Sequence, residues 1–154
     1  MHSLMPADFP HALLDHSPDA VAGDRAFRVD AGFDRTGRGL QLRYRLRGPI
    51  AELRLDHAPG SLPSARLWAH SCFEAFVAAD AARYREFNFA PNGQWAAFDF
   101  VDYRQPAEPT ATPSAAPLLE SWRDGDDFFL VAELPDDLIP ASDGERALGL
   151  SAVL

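Results

Sequence analysis

Apolar and polar residues alternate along several short segments of the chain, a pattern typical of β-strands. The clearest example is Leu40–Leu46, in which every second residue is apolar and the residues between include Arg43 and Arg45. A period of two places alternate side chains on opposite faces of a strand. We therefore expect the apolar set to face a core and the arginines to face away from it, either solvated or paired with acidic residues.

Further segments of this kind follow along the chain, separated by turn-forming residues. The predicted strands are Phe27–Ala31, Leu40–Leu46, Ile50–Leu55, Ser71–Ala79, Arg83–Phe89, Gln94–Phe100, Leu118–Trp122, Phe128–Leu134 and Leu148–Leu154. One helical turn is expected at Pro135–Ile139, and no segment has a sustained helical period. Many short strands with turn signals between them predict an all-β fold, an antiparallel sandwich or barrel.

The length and composition of the chain indicate one domain with an irregular beginning. A chain of 154 residues can bury a sizeable core as one unit. Residues 1–24 are rich in Pro, Asp and His without a period, so we interpret them as a lead-in to a β-sandwich domain at 25–154. The Pro-rich segment 105–117 is predicted to be a flexible surface loop inside that domain.

The negative net charge of the chain argues against some classes of binding partner. A formal net charge of −9 argues against nucleic acid and anionic membrane surfaces, which attract basic proteins. There is no apolar run of the roughly 20 residues that a membrane helix needs, and the first residues do not have the pattern of a secretory signal. We expect a cytoplasmic protein with neither nucleic acid nor membrane as a partner.

Polar residues interrupt the apolar-rich segments between Trp68 and Arg104. A buried polar group without a partner costs several kcal/mol, so these residues either form an internal network or face a ligand. Aromatic faces with a few convergent polar groups are typical of small-molecule sites. The candidate ligand-binding residues are Trp68, Glu74, Glu86, Asn88 and Trp95. We expect Glu74, Glu86 and Asn88 to share one face of a sheet, with a tryptophan at its edge.

Catalytic and metal sites have weaker support in the sequence. His70 and Cys72 stand alone, without a second His/Cys cluster to complete a metal site. Cys72 is the only cysteine, so no internal disulfide is expected, and we interpret it as a small buried apolar residue. Glu74 and Glu86 are the one pair that a glycosidase would use. We expect no metal, no cofactor and no catalytic residue.

Three motifs in the central segment resemble a known family. They are LWxHxCFEAFV at Leu67–Val77, EFNFAPNGQWAAF at Glu86–Phe98, and YR at Tyr103-Arg104. They resemble the bacterial DOMON-like proteins related to family 9 carbohydrate-binding modules, and Leu42–Gly48 and Leu148–Val153 look similar too. The resemblance implies an antiparallel β-sandwich.

The resemblance also implies a ligand and some of its contacts. Family 9 modules hold a sugar ring between two tryptophans, with hydrogen bonds from Glu, Arg and Asn. Trp68 and Glu74 match the first tryptophan and the glutamate by type and spacing, and Asn88 matches the asparagine, whereas Glu86 stands where those modules carry arginine. Other DOMON domains bind haem through Met and His. The only methionines here are Met1 and Met5, so no haem is expected.

The function expected from the sequence is a non-catalytic binding module for a carbohydrate or a similar polar small molecule. A structural or protein-interaction sandwich, in which the polar cluster only specifies the fold, is the alternative, and a carboxylate-pair glycoside hydrolase is the third. Similar proteins continue past a segment like Leu148–Leu154. We therefore expect the sandwich to lack its C-terminal closing strands and to associate through an exposed sheet edge there.

Overall fold

The computed structural model describes residues 8–13, 27–108 and 113–154. Within these ranges the chain forms two antiparallel five-stranded sheets with almost no helix. The fold is an all-β sandwich, which confirms the predicted fold class.

Ten strands follow one another in the described part of the chain. They are β1 (His11–Ala12), β2 (Arg28–Arg35), β3 (Gly39–Arg47), β4 (Cys72–Ala78), β5 (Tyr84–Phe89), β6 (Trp95–Asp102), β7 (Gln105–Pro106), β8 (Leu118–Asp124), β9 (Asp127–Pro135) and β10 (Leu148–Val153). Sheet A has the order β1-β2-β3-β9-β8, and sheet B has the order β10-β4-β5-β6-β7. Short 3₁₀ helices lie at Ile50–Glu52, Ser64–Ala69 and Asp136–Leu138.

The core lies between the two sheets, where their apolar faces meet. Leu42 and Tyr44 of β3 are completely buried, as the alternation along that strand predicts. The ring of Tyr44 lies 5.1 Å from that of Phe73 in β4, and Phe73 stacks on Phe128 of β9 at 6.0 Å. Because side chains of both sheets interdigitate here, β4 of sheet B is packed directly on the centre of sheet A.

The arginines of β3 lie on the outer face of sheet A, and acidic residues pair with them. Arg43 contacts Asp34 at 2.8 Å and Arg45 contacts Asp127 at 2.5 Å. Arg47 pairs with Asp30 in the same way. The basic face of β3 is therefore explained by neighbouring carboxylates on β2 and β9.

The predicted strand Ile50–Leu55 is wrong. Residues Ile50–Glu52 form a 3₁₀ turn after Pro49, in which Glu52 N–H donates to the Pro49 carbonyl at 2.9 Å. Ile50 and Leu55 are both buried, so the segment is anchored at its two ends while local hydrogen bonds replace a sheet ladder. Periodicity alone cannot distinguish these cases, because a strand also needs a neighbouring strand to pair with.

Part of the predicted lead-in belongs to sheet A. His11–Ala12 pair with β2, and the Leu13 N–H donates to the Val29 carbonyl at 2.8 Å. A Cβ on Gly32 would lie 2.0 Å from the Asp8 carbonyl oxygen, so a glycine is required where the chain crosses β2. The rest of the lead-in, 1–7 and 14–24, lies outside the described residues, as do 25–26 and residues 109–112 of the Pro-rich loop.

β10 is an edge strand of sheet B. Among the described residues it pairs only with β4, and its inward side chains Leu148, Leu150 and Ala152 pack against the core. The described part of the chain contains no helix that is both long enough and apolar enough to cross a membrane.

Candidate functional site

The register of β4 and β5 brings three predicted site residues onto one face of sheet B. Glu74 lies directly opposite Asn88, and Phe76 lies opposite Glu86. Residues of opposite parity, such as Phe87, are in the core, so the polar residues are on the outer face. Glu74 and Glu86 are diagonal neighbours, and such Cα atoms lie about 7–8 Å apart.

An open cleft of about 950 Å³ lies over this outer face. It is lined by Trp68, Glu74, Phe76, Tyr84, Glu86, Phe100, Tyr103, Arg104 and Val153. Its polar floor is the outer face of β4 and β5 around Glu74 and Glu86. Trp68 comes from the 3₁₀ segment Ser64–Ala69, and Tyr103 comes from the turn between β6 and β7. Trp68 is 48% exposed and Tyr103 72% exposed. Clefts of this size accommodate small molecules.

Aromatic side chains form one wall of the cleft. Tyr84 of β5 stacks on Phe100 of β6 with ring centroids 4.7 Å apart and an interplanar angle of 4°. Phe76 of β4 lies 6.3 Å from Tyr84, so three neighbouring strands contribute to this wall. The Tyr84 hydroxyl accepts a hydrogen bond from the Arg104 backbone N–H at 3.2 Å, which ties the turn carrying Tyr103 to the wall.

The polar floor contains one internal hydrogen bond and one unused acceptor. Asn88 Nδ2 donates to Glu86 Oε1 at 3.1 Å. Asn88 is completely buried, and its Oδ1 has no hydrogen-bond partner among the described residues. Glu74 is only 8% exposed, and the Cys72 Sγ lies 4.0 Å from its Oε1. The polar cluster is thus partly satisfied among the described residues, and its two carboxylates, Glu74 and Glu86, line the cleft.

Burial and neighbouring negative charges raise the pKa of two groups at the floor, Glu74 and Cys72. Burial and the neighbouring Glu86 carboxylate raise the pKa of Glu74, and a hydrogen bond from the Ser151 side chain partly offsets this increase. Burial, followed by the charges of Glu74 and Glu86, raises the pKa of the Cys72 thiol to about 12. Cys72 therefore remains a protonated thiol at neutral pH and is buried, as expected of a small structural residue.

A glutamine outside the cleft holds the segment that carries Trp68. Gln94 Oε1 accepts a hydrogen bond from the Leu62 N–H at 2.9 Å, and its Nε2 donates to the Leu62 carbonyl at 2.9 Å. Leu67, next to Trp68, is buried in a small cluster with Leu62 and Ala90. These contacts fix Ser64–Ala69 against β5 and β6 and thereby position Trp68 at the cleft.

The structure does not bring Trp95 to the candidate site. Trp95 pairs with Phe89 at the start of β6, and it packs against the main core on the opposite face of sheet B. Side chains alternate along β6, so Phe98 and Phe100 share the outer face with Glu86, and Trp95 does not. Of the two tryptophans expected at the edge of the site, only Trp68 lines the cleft.

Sequence reasoning missed several residues of the cleft. These are Phe76, Tyr84, Phe100, Tyr103, Arg104 and Val153. One signal was available for Phe76 and Tyr84, which lie two positions from Glu74 and Glu86 and therefore share their faces. The Tyr103-Arg104 motif was another signal. Phe100 and Val153 reach the cleft through strand pairing, with Tyr84 and Cys72 respectively.

In the part of the chain that the structure describes, no group of three or more His, Cys, Asp or Glu side chains is placed to hold a metal ion. No protein-family model, curated protein or solved structure matches this chain. The function is therefore inferred from the cleft and from the sequence motifs around it.

Proposed function

We propose that this protein is a non-catalytic binding module whose ligand, a carbohydrate or similar polar small molecule, occupies the cleft over sheet B. The observation that carries the proposal is the presence of two carboxylates, Glu74 and Glu86, in one open cleft with exposed and stacked aromatic rings. Carboxylate oxygens accept hydrogen bonds from hydroxyl groups. Aromatic faces such as that of Trp68 pack on the apolar side of a sugar ring.

The cleft favours binding over a purely structural role for the polar cluster. A cluster that only specified the fold would be covered and mutually satisfied, because buried polar groups without partners are costly. Here Asn88 Oδ1 has no hydrogen-bond partner within the described ranges, and Glu74 and Glu86 line an open cavity. Neither carboxylate forms an ion pair with an arginine among residues 8–13, 27–108 and 113–154.

The resemblance to DOMON-like proteins and family 9 carbohydrate-binding modules supports the same proposal. The motif residues Trp68 and Glu74, which match the sugar-binding positions of those modules, both line the cleft. The two-sheet architecture agrees with the fold of that family. Tyr84 and Phe100 of the aromatic wall lie outside the motifs and add support that the resemblance does not supply.

Glycoside hydrolysis is the second candidate. It is favoured by the raised pKa of Glu74 beside a second carboxyl on the same face, since glycosidases pair a protonated carboxyl with an ionised one. Incubation with aryl glycosides distinguishes the two functions. Binding without release of the aryl group supports the module, whereas turnover that disappears in Glu74→Gln supports the hydrolase.

Calorimetric titration with a panel of mono- and disaccharides tests the proposed function. We expect at least one sugar to bind and Trp68→Ala to weaken its binding about tenfold, which corresponds to about 1.4 kcal/mol. Phe33→Ala is the matched control, because Phe33 is 44% exposed but belongs to β2 of sheet A. If no sugar of the panel binds, or Trp68→Ala binds as well as the wild type, the proposed function is wrong.

A further inference from the structure

The two carboxylates of the cleft, Glu74 and Glu86, offer hydrogen-bond acceptors, and neither forms an ion pair within the described part of the chain. Ionised Glu74 and Glu86 can only accept. The amide nitrogen of Asn88 donates to Glu86 from beneath the cleft, since Asn88 is completely buried and does not line the cavity. The side chain of Ser151 is directed to Glu74. A group that complements this floor must therefore donate several hydrogen bonds.

No cationic side chain of the described residues pairs with either carboxylate. Glu74 is 8% exposed and has Glu86 as its diagonal neighbour, and burying a carboxylate is costly unless a cation pairs with it. Arg104 is the one arginine that lines the cleft. Its guanidinium lies 5.2 Å from the Tyr103 ring, and it forms no ion pair within the described residues. The net charge of −9 adds a long-range attraction for cations.

The walls of the cleft suit a cation as well. The rings of Trp68, Phe76, Tyr84 and Phe100 line the same cleft as the two carboxylates, and aromatic faces attract ammonium groups through their negative π surface. A volume of about 950 Å³ far exceeds that of one ammonium group. The cleft therefore has room for a ligand of the size of a sugar ring that carries such a group.

We infer that the ligand carries a protonated amine that binds between Glu74 and Glu86, so that sugars with a free ammonium group are preferred over neutral sugars. This inference rests on the proposed binding function and specifies its ligand class. The ammonium group donates to the two carboxylates, while the sugar ring packs on the aromatic wall.

Four probes of similar ring size test the inference by calorimetry at neutral pH. They are glucosamine, glucose, N-acetylglucosamine, in which the amine is acylated, and cyclohexylamine, which has no hydroxyl groups. We expect glucosamine to bind about tenfold more tightly than glucose or N-acetylglucosamine, as a charged hydrogen-bonded pair should. Its affinity should also fall with added sodium chloride.

The outcomes separate the inference from the proposed function. If glucose binds as tightly as glucosamine, the inference is overturned while the carbohydrate module stands. If cyclohexylamine binds as tightly as glucosamine and no neutral sugar binds, the ammonium site stands and the carbohydrate function does not. If no probe binds, both are overturned.

A charge-removing variant locates the site. Glu86→Gln keeps the side-chain size and an oxygen for Asn88, and we expect it to bring the ratio of glucosamine to glucose affinity close to one. Glu120→Gln is the matched control, because Glu120 is an exposed carboxylate on β8 of sheet A, and its ratio should equal that of the wild type. An unchanged ratio in a folded Glu86→Gln variant, checked by its thermal melt, overturns the inference.

Discussion

The hydroxyl of Tyr44 donates a hydrogen bond to the backbone carbonyl of Glu74 across the interior of the sandwich, at an O···O distance of 2.7 Å. Tyr44 belongs to β3 of sheet A and Glu74 to β4 of sheet B. Burial and the Glu74 and Cys72 charges raise the pKa of Tyr44, so the hydroxyl remains a donor. This bond ties the strand that carries a floor carboxylate to the opposite sheet.

Replacing this tyrosine should lower the stability of the fold. We expect Tyr44→Phe to reduce the free energy of unfolding by about 0.5–1.5 kcal/mol, the typical contribution of one buried hydrogen bond. Urea denaturation measures the change. Tyr103→Phe is the control, because Tyr103 is 72% exposed and surface changes stay within about 0.5 kcal/mol. Equal stability of Tyr44→Phe and wild type would mean that the bond contributes nothing.

Glu74 should make the stability fall as the pH rises. Its pKa in the folded protein is raised above the ordinary value of 4.5, so the folded state binds this proton more tightly than the unfolded state. The free energy of unfolding should therefore decrease with pH from 4.5 up to the raised pKa, and this contribution is constant above it. In Glu74→Gln the contribution is absent.

Urea denaturation of the wild type and Glu74→Gln at a series of pH values isolates this effect. We expect the stability of Glu74→Gln relative to the wild type to increase as the pH rises through that window. A difference between the two proteins that is the same at every pH contradicts the prediction.

Cys72 should be unreactive in the folded protein. Its thiol is buried and its pKa is raised to about 12, and only the thiolate reacts with alkylating reagents. At pH 8 we expect iodoacetamide to label it rapidly in urea and very slowly in buffer. Ser114→Cys places a thiol at an exposed position for comparison. Native labelling of Cys72 as fast as that of this control would rule out the buried environment.

Gln94 should hold in place the backbone at Leu62, which precedes the segment that carries Trp68. In Gln94→Ala the Leu62 N–H loses its acceptor, so we expect faster hydrogen exchange at Leu62. The loss of the three side-chain hydrogen bonds of Gln94, two with Leu62 and one from Asn92 Nδ2, should also cost about 1–3 kcal/mol of stability. Gln41→Ala removes the same side chain from β3 of sheet A, where Gln41 accepts from Arg43, and exchange at Leu62 should not change. If the Leu62 amide exchanged at the same rate in Gln94→Ala and in the wild type, Gln94 would not be required to hold this segment in place.

Some features of the candidate site follow from neighbouring residues in the sequence. Glu86 and Asn88 are two positions apart in one strand, so they share a face whichever strand lies beside them. The position of Trp95 depends instead on how the Asn92-Gly93 turn sets the register, which pairs Trp95 with Phe89. A one-residue shift would move Trp95 to the other face, and the pattern of residues does not specify that shift.

The sequence by itself determined that this chain is built of short strands, which residues share a face within each strand, and that β3 has one apolar and one basic side. These are local properties, because side-chain direction along a strand depends only on the parity of the position. Only the tertiary structure decided that β4 lies between β10 and β5, and that Trp68, Tyr103 and Arg104 meet above Glu74 and Glu86. These neighbours are distant along the chain, and the packing of whole sheets and turns brings them together.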